Sequence, residues 1–188
     1  EKTEKKENRN KVIIALIFIG IMIISTISFV FVFRTNEEPS NLEKINYNGL
    51  EFTKNSLGFW QFQIQENSFS TYYNPLLIEN VSFDVKTSVN DLSNKPLYYV
   101  LENSTLAASE IINNFGIFIQ RHQEVCLSEL ECRDKDLPIK DCSNNIIIIK
   151  ETEQIKAYKE GNCVFLEGSE QDQLILADKL IFRVLGIQ

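Results

Sequence analysis

Residues 12–33 form an uninterrupted stretch without a charged side chain, VIIALIFIGIMIISTISFVFVF. A helix of this length would be about 33 Å long, and the hydrocarbon core of a bilayer is about 30 Å thick. A helix that is apolar on every face is typical of a membrane span. The sequence therefore predicts an N-terminal transmembrane helix over residues 12–33 that tethers the rest of the chain to a lipid bilayer.

The charges on either side of this stretch predict its orientation. Residues 1–11 contain five Lys or Arg side chains, whereas Arg34 is the one basic residue directly after the stretch. Because Lys and Arg near a span favour the cytoplasmic side, we expect a cytoplasmic tail over residues 1–11 and an extracytoplasmic C-terminal part. This makes the chain a single-pass protein of the cell membrane, held by a signal anchor.

A cleaved signal peptide is the competing interpretation of the same stretch. The apolar region of a signal peptide is about 7–15 residues long and is followed by a cleavage site between small residues. Residues 12–33 are longer, and the sequence SFVFVFR at their end offers no such site. The length of the stretch therefore favours an uncleaved anchor.

The remaining chain has the size and charge of one acidic domain. Residues 34–188 carry 14 basic and 23 acidic side chains, a net charge of −9. Such a surface repels nucleic acid, so we expect no nucleic-acid partner. Residues 34–48 are polar, with several Asn and a Pro, and predict a juxtamembrane linker ahead of an extracytoplasmic domain over residues 49–188.

All four cysteines, Cys126, Cys132, Cys142 and Cys163, lie in the predicted domain. An even number of cysteines in an oxidising compartment predicts two disulfides, for which three connectivities exist. We favour Cys126–Cys132, which closes a short loop, and Cys142–Cys163, which joins the beginnings of two predicted strands. The spacings lack the paired short C-x-x-C motifs of zinc sites, so no metal or cofactor is expected.

Two sequons, beginning at Asn80 and Asn103, are candidate glycosylation sites on an extracytoplasmic face. Such tripeptides also arise by chance in a chain rich in Asn and Ser. In addition, Asn103 or Ser104 can cap a predicted helix. Glycosylation and helix capping therefore both remain open for Asn103.

The hydrophobic periodicity predicts an α+β domain. In residues 59–65 the apolar side chains Trp60, Phe62 and Ile64 alternate with glutamines, which is typical of a strand with one wet face. The β-branched run over residues 146–149 predicts a strand buried on both faces. Further strands are expected at residues 50–54, 69–73, 82–87, 97–101, 117–119, 155–158 and 163–166, with hairpins at residues 55–58 and 159–162.

Two main helices complete the predicted domain. The apolar spacing over residues 104–115 predicts the first helix, which Gly116 ends. Ser169 to Asp172 has the S-x-x-D form of a capping box and begins the second helix, which Gly186 ends. Because strands precede and follow the first helix, we expect a right-handed crossover and a mixed, partly parallel sheet.

No motif points to a particular chemistry. The chain has one histidine, His122, and lacks the G-x-S-x-G elbow and the phosphate-binding glycine loops. We therefore assign no catalytic residue and expect a surface interaction or structural module whose partner is another envelope protein. The alternatives are an envelope hydrolase using a carboxylate pair, which a cleft with two carboxylates of raised pKa would favour, and an accessory subunit of a membrane complex.

The C-terminal stretch carries one resemblance. The sequence IKAYKEGNCVFLEGSEQDQLILADKLIFRVLGIQ resembles the ending of single-pass membrane proteins predicted in archaea, which close on a Gly-Asn-Cys hairpin, a strand and a final helix. The resemblance covers the last third of the chain and implies an archaeal cell-surface setting, with no activity attached. The matching residues are Gly161, Asn162, Cys163, Gly168, Ala177, Asp178, Leu185, Gly186 and Ile187, with Pro138 to Cys142 upstream.

Overall fold

The computed structural model describes residues 17–22, 42–102, 106–127, 132, 134 and 136–188. The chain divides into two compact units, Glu1–Asn41 and Leu42–Gln188. In the first unit residues 17–22 are helical, whereas the rest of the predicted span and the predicted cytoplasmic tail lie outside the described residues. Within the described ranges, none of the helices has both the length and the apolar character needed to cross a membrane.

The second unit is an α+β fold with mixed sheets, as predicted. Its described strands are β1 (Lys44–Tyr47), β2 (Leu50–Lys54), β3 (Trp60–Ile64), β4 (Asn67–Thr71), β5 (Pro96–Leu101), β6 (Arg121–Glu124), β7 (Cys126–Leu127), β8 (Ile139–Lys140), β9 (Ile146–Glu151), β10 (Lys156–Glu160) and β11 (Cys163–Gly168). Its described helices are α1 (Val89–Leu92), α2 (Leu106–Phe115) and α3 (Glu170–Val184).

Strands β1 to β4 form an antiparallel meander in sequence order. Asn48 and Gly49 join β1 to β2 with φ angles of 49° and 83°, the positive values that a tight hairpin turn requires. The predicted linker over residues 34–48 is therefore wrong for residues 44–48, because β1 pairs Ile45 with Phe52 and belongs to the sheet. Residues 34–41 of that linker lie outside the described residues.

The next hairpin confirms its prediction. The side-chain oxygen Oδ1 of Asn55 accepts hydrogen bonds from the backbone N–H groups of Leu57 and Phe59, each at 3.0 Å. These bonds hold the loop that turns β2 into β3, so a single Asn side chain stabilises the turn that the Gly-containing gap predicts.

The larger sheet has the strand order β10-β11-β9-β5-β6, and its neighbours are parallel except for the β10–β11 hairpin. Each of residues 146–149 in β9 is at most 3% exposed, which confirms a strand buried on both faces. β5 precedes α2 in the chain, β6 follows it, and the two strands pair in parallel. The predicted strand–helix–strand unit is therefore present. A separate pair of short strands, β7 and β8, lies beyond β6 in the chain.

Two predicted strands are wrong. Residues 117–119 form a turn, and the strand after α2 is instead the polar segment Arg121–Glu124, in which Arg121, His122 and Gln123 are exposed. An edge strand without a buried face shows no hydrophobic alternation, so periodicity cannot reveal it. Residues 82–87 contribute one isolated bridge, between Asp84 and Tyr158, in place of a full strand.

Helix α3 contributes to two hydrophobic cores. On one side Leu176, Ala177 and Leu180 pack with α2 and the larger sheet. On the other side the fully buried Phe182 lies against the meander, with its ring centroid 5.9 Å from those of Phe52 and Phe62. A third cluster, which includes Val100, Ile148 and Phe165, covers the opposite face of the larger sheet. The helix is therefore shared between the two sheets.

Both predicted disulfides, Cys126–Cys132 and Cys142–Cys163, are present. The second bond joins the segment before β9 to the first residue of β11, where Cys163 is fully buried. Disulfides persist in oxidising environments and are rare in the cytosol. The fold therefore belongs to an extracytoplasmic or secreted domain.

The capping box at the start of α3 is also confirmed. The Ser169 N–H donates to Asp172 Oδ2 at 3.1 Å, and the Asp172 N–H donates to Ser169 Oγ at 3.3 Å. Gly168 precedes this box at φ 150°, and a Cβ atom there would lie 2.5 Å from the Cβ of Asp172. The turn from β11 into α3 therefore requires glycine for conformation and for space.

Replacing Gly168 by Ala should lower the free energy of unfolding by about 2–3 kcal/mol, because both backbone strain and overlap with Asp172 act there. Gly58→Ala is the matched control, since Gly58 also has a positive φ, of 92°, but nothing lies within 4 Å of the added methyl. That control should cost about 1 kcal/mol. Urea unfolding of the two variants measures the difference, and equal losses would contradict the close approach.

The two disulfides should differ in their contribution to stability. Cys142–Cys163 spans a sequence separation of 21 residues and Cys126–Cys132 one of 6. Loop-closure entropy then predicts losses of about 3 and about 2 kcal/mol when each pair is replaced by serines. Urea midpoints of the two double variants test this order, which the reverse ranking would refute.

Candidate functional site

A buried pair of acidic residues lies where α2 packs against α3. Glu110 on α2 is 7% exposed and Asp178 on α3 is 0% exposed. Their carboxyl groups form a hydrogen bond with each other. Two ionised carboxylates in contact would repel each other, so the contact requires that the two groups share a proton.

The helical periodicity places the side chains of Glu110 and Asp178 on the buried faces of α2 and α3. Glu110 lies one turn from Ala107 and from Asn114, both of which are buried. Asp178 lies one turn from Leu174 and from Ile181 on the apolar stripe of α3. Each carboxyl group therefore occupies a position at which helix periodicity places a core residue.

The pair holds the segment that follows β4. The backbone N–H of Tyr73 donates to Asp178 Oδ2 at 2.7 Å, and the N–H of Tyr72 donates to both carboxyl groups. One oxygen of each residue, Glu110 Oε1 and Asp178 Oδ1, is buried and accepts no hydrogen bond from a donor among the described residues. Both oxygens are closed to solvent.

Burial dominates the acid–base properties of the pair. Burial raises the pKa of Glu110 to about 7, although the hydrogen bonds from Asp178 and from the Tyr72 backbone act in the opposite direction. Burial, and then the negative charge of Glu110, raise the pKa of Asp178 well above its usual value. The pair therefore keeps a proton at pH values where exposed carboxyl groups have lost theirs.

Glu110 also lines an open groove of about 320 Å³, which we term the Glu110 groove. Asn114 connects its two walls, because its Oδ1 accepts from the Ser70 N–H at 3.0 Å and its Nδ2 donates to the Ser70 carbonyl at 2.8 Å. The half-buried Phe59 ring packs edge-on against Tyr72, with 4.6 Å between ring centroids. The walls consist of Glu110, Asn113 and Asn114 on α2 and, on the meander side, of Phe59, Gln61, Ser68, Phe69 and Ser70.

Two further depressions are open and polar. One, of about 510 Å³, covers the outer face of the meander around Glu51, Gln61 and Gln63. The other, of about 340 Å³, lies around Asp91 and Asn145, where β5 and β9 begin. Across the described residues, no group of three or more His, Cys, Asp or Glu side chains could hold a metal ion.

The carboxyl pair differs from the arrangement that glycoside hydrolysis uses. In those enzymes two carboxyl groups stand about 5–9.5 Å apart and both reach the substrate. Here the two groups are hydrogen-bonded to each other, and Asp178 has no exposed surface. As it stands, the arrangement can hold a proton between two buried carboxyl groups.

The residues singled out from the sequence lie outside the Glu110 groove. The four cysteines form the disulfides described above, and His122 is exposed on β6 with its ring 6.3 Å from that of Tyr99. Asn80 is exposed at the end of the turn over residues 75–80, so its sequon is accessible and its glycosylation remains a prediction. Asn103 lies outside the described residues.

No protein-family model, curated protein or solved structure matches the chain. Sequence reasoning also missed Glu110 and Asp178, although each shows a signal. Glu110 and Asp178 are charged residues within apolar helical stripes, and such positions are rare unless the charge has a buried partner. The function must therefore be argued from the geometry of this chain.

The acidic pair should make stability depend on pH. Between the usual carboxyl pKa near 4 and the value of about 7 for Glu110, the folded state binds more protons than the unfolded state. The free energy of unfolding should therefore fall as the pH rises, by about 1–2 kcal/mol between pH 5 and pH 8. Asp178→Asn should flatten this decline, because an amide can donate to an ionised Glu110.

Urea unfolding of the full-length protein at pH 5, 6, 7 and 8 measures the effect. Asp91→Asn is the matched control, since hydrogen bonds from Ser88 lower the pKa of that exposed carboxyl group. This control should leave the decline between pH 5 and pH 8 unchanged. An equal pH dependence in the wild type and in Asp178→Asn would rule out the shared proton.

Proposed function

We propose that the protein is a membrane-tethered binding module that recognises another protein of the cell envelope. Residues 12–33 form its single-pass signal anchor, residues 1–11 lie in the cytoplasm, and the disulfide-bonded α+β domain lies outside. The charge-free run and the excess of basic residues before it support the anchor and its orientation. The resemblance of the last third of the chain supports an archaeal cell surface as the setting.

The observation that carries this proposal is the role of the buried carboxyl pair. The most strongly perturbed acidic groups are engaged in joining α2 to α3 and in holding the backbone at Tyr72 and Tyr73. The depressions on the described surface are open and are lined largely by amides and hydroxyls. Such surfaces suit the recognition of a partner better than the exclusion of water that catalysis needs.

The envelope hydrolase is the second candidate, and one observation favours it. A general acid that works near neutral pH needs a raised pKa, and Glu110 has a pKa of about 7 and lines a groove. The sealed position of Asp178 counts against it, because the second carboxylate cannot reach a substrate.

Surface crosslinking followed by affinity capture tests the proposed function. Intact cells that produce the tagged full-length protein are treated with a membrane-impermeant, amine-reactive crosslinker, and the membranes are then solubilised. We expect the domain to be labelled, because its lysines lie outside, and to be recovered with one partner protein in stoichiometric amount. The tagged segment 1–41 is the control for proteins that only neighbour the anchor.

The outcomes separate the parts of the proposal. A domain that stays unlabelled in intact cells, but is labelled after lysis, would overturn the extracytoplasmic orientation. A labelled domain that brings down no protein beyond those of the control would overturn the binding function. The envelope hydrolase would then be the favoured function.

A further inference from the structure

We propose that the outer face of the meander binds an uncharged oligosaccharide carried by the partner protein. This inference rests on the proposed binding function and deepens it by naming the chemistry that the partner presents. The site, which we term the polar trough, runs from β2 across β3 and β4 to α2. Its exposed or half-buried side chains are Thr53, Gln61, Gln63, Ser68, Ser70 and Asn113.

The polar trough is one continuous depression. The depression of about 510 Å³ on the meander and the Glu110 groove of about 320 Å³ share Gln61 and Ser68 in their linings, so the two meet along β3 and β4. Binding sites for small molecules have volumes of about 300–1,000 Å³, and the joined depressions therefore have room for an oligosaccharide. Asn113 on α2 forms the far wall, because its neighbour Asn114 is hydrogen-bonded to the backbone of Ser70 on β4.

The hydrogen-bonding groups of the trough form rows across the strands. The register of the meander pairs Thr53 with Gln61 and Gln61 with Ser70, and in a second row it pairs Gln63 with Ser68. Paired residues of an antiparallel sheet are about 5 Å apart. Amide side chains and hydroxyls both donate and accept hydrogen bonds, as the hydroxyls of a sugar do. A chain of hydroxyl-bearing units would therefore meet matching groups at each step across the sheet.

The low charge of the trough favours a neutral ligand. Residues 59–73 include one charged side chain, Glu66 in the exposed turn from β3 to β4, although 24% of the chain is charged. No Lys or Arg is among the described residues that line the two depressions. Of the acidic lining residues, Glu51 is ion-paired with Lys44 at 3.0 Å and Glu110 is buried. A charged ligand would therefore meet no free opposite charge in the trough.

The polar side chains of the trough are available to a ligand and stand on a fixed base. Among the described residues, the side chains of Thr53, Gln61 and Asn113 have no hydrogen-bond partner. Beneath the trough, Phe62 and Phe69 are at most 4% exposed and stack with 5.4 Å between their ring centroids. A face that is already ordered loses little conformational entropy when a ligand binds.

The distribution of apolar groups distinguishes a sugar from a polypeptide surface. Phe59 is half-buried at the α2 end of the trough, where its ring packs against Tyr72 with 4.6 Å between centroids. A sugar ring has an apolar face of C–H groups, which gains dispersion contacts against an aromatic ring. Protein–protein interfaces have an apolar, aromatic centre and a polar rim. The trough has polar groups at its centre and the aromatic ring at one end, so it fits an oligosaccharide better.

Binding to immobilised oligosaccharides tests the inference. The full-length protein in phosphatidylcholine nanodiscs is applied to hexamers of glucose, mannose, galactose and N-acetylglucosamine, which are uncharged. Hexagalacturonate and the glucosamine hexamer are the anionic and cationic counterparts, and empty nanodiscs are the control. We expect the protein to bind one or more of the uncharged hexamers and neither charged one. Binding to none of the uncharged hexamers, or equal binding to the charged ones, would overturn the inference.

Three variants locate the site by isothermal calorimetry with the hexamer that binds best. Gln61→Glu keeps the size of the side chain but replaces its donor by a charge, and should weaken binding about tenfold. Gln123→Glu makes the same change on the exposed strand β6 of the larger sheet and should leave binding unchanged. Circular dichroism shows whether each variant is folded. If Gln61→Glu does not fold, Thr53→Val removes one hydroxyl at nearly constant shape and should weaken binding several-fold.

The outcomes separate this inference from the proposed function. Equal affinities of Gln61→Glu and Gln123→Glu for the hexamer would place the site elsewhere and overturn the polar trough. A partner protein captured equally well by Gln61→Glu would leave the binding module standing without an oligosaccharide site. Hexamer binding in the trough without any captured protein would overturn the protein partner alone, and a free polysaccharide of the cell surface would then be the source of the ligand.

Discussion

The position of α3 between two sheets is the constraint on which the rest of the fold depends. A helix covered on both sides cannot keep a polar face in water, so its polar side chains need partners inside the protein. Gln173 donates to the carbonyls of Lys150 and Gly168 at 3.0 and 2.9 Å. Lys179 donates to those of Ile78 and Glu79 at 2.8 and 2.7 Å, and Asp178 meets Glu110.

These internal partners also shape the surface. Asp178 and Lys179 together hold the chain from Tyr73 to Glu79 against α3. Asp178 also contacts Glu110 on α2. One turn after Glu110 on the same helix, Asn114 accepts a hydrogen bond from Ser70 and so joins β4 to α2. The Glu110 groove is therefore a consequence of how α3 satisfies its polar groups.

The sequence predicts the features that local rules determine. The capping box at Ser169, the run of buried residues 146–149 and the loop held by Asn55 follow from residue types at fixed spacings. The Asn48-Gly49 pair is an equally clear hairpin signal, but the polar composition of residues 34–48 predicts a linker instead. The contact between Glu110 and Asp178 lies beyond such rules, because it depends on which helices pack together and how they are rotated.

The bonds that Asn114 makes with Ser70 have a consequence for self-association. β4 is an outer strand of the meander, and the unpaired backbone of an outer strand is a template onto which another chain can add and so begin aggregation. The Asn114 amide offers Ser70 one acceptor and one donor, as a neighbouring peptide would, and so occupies this edge from within. A side chain that imitates one residue of a strand therefore disfavours the addition of a second chain at this edge.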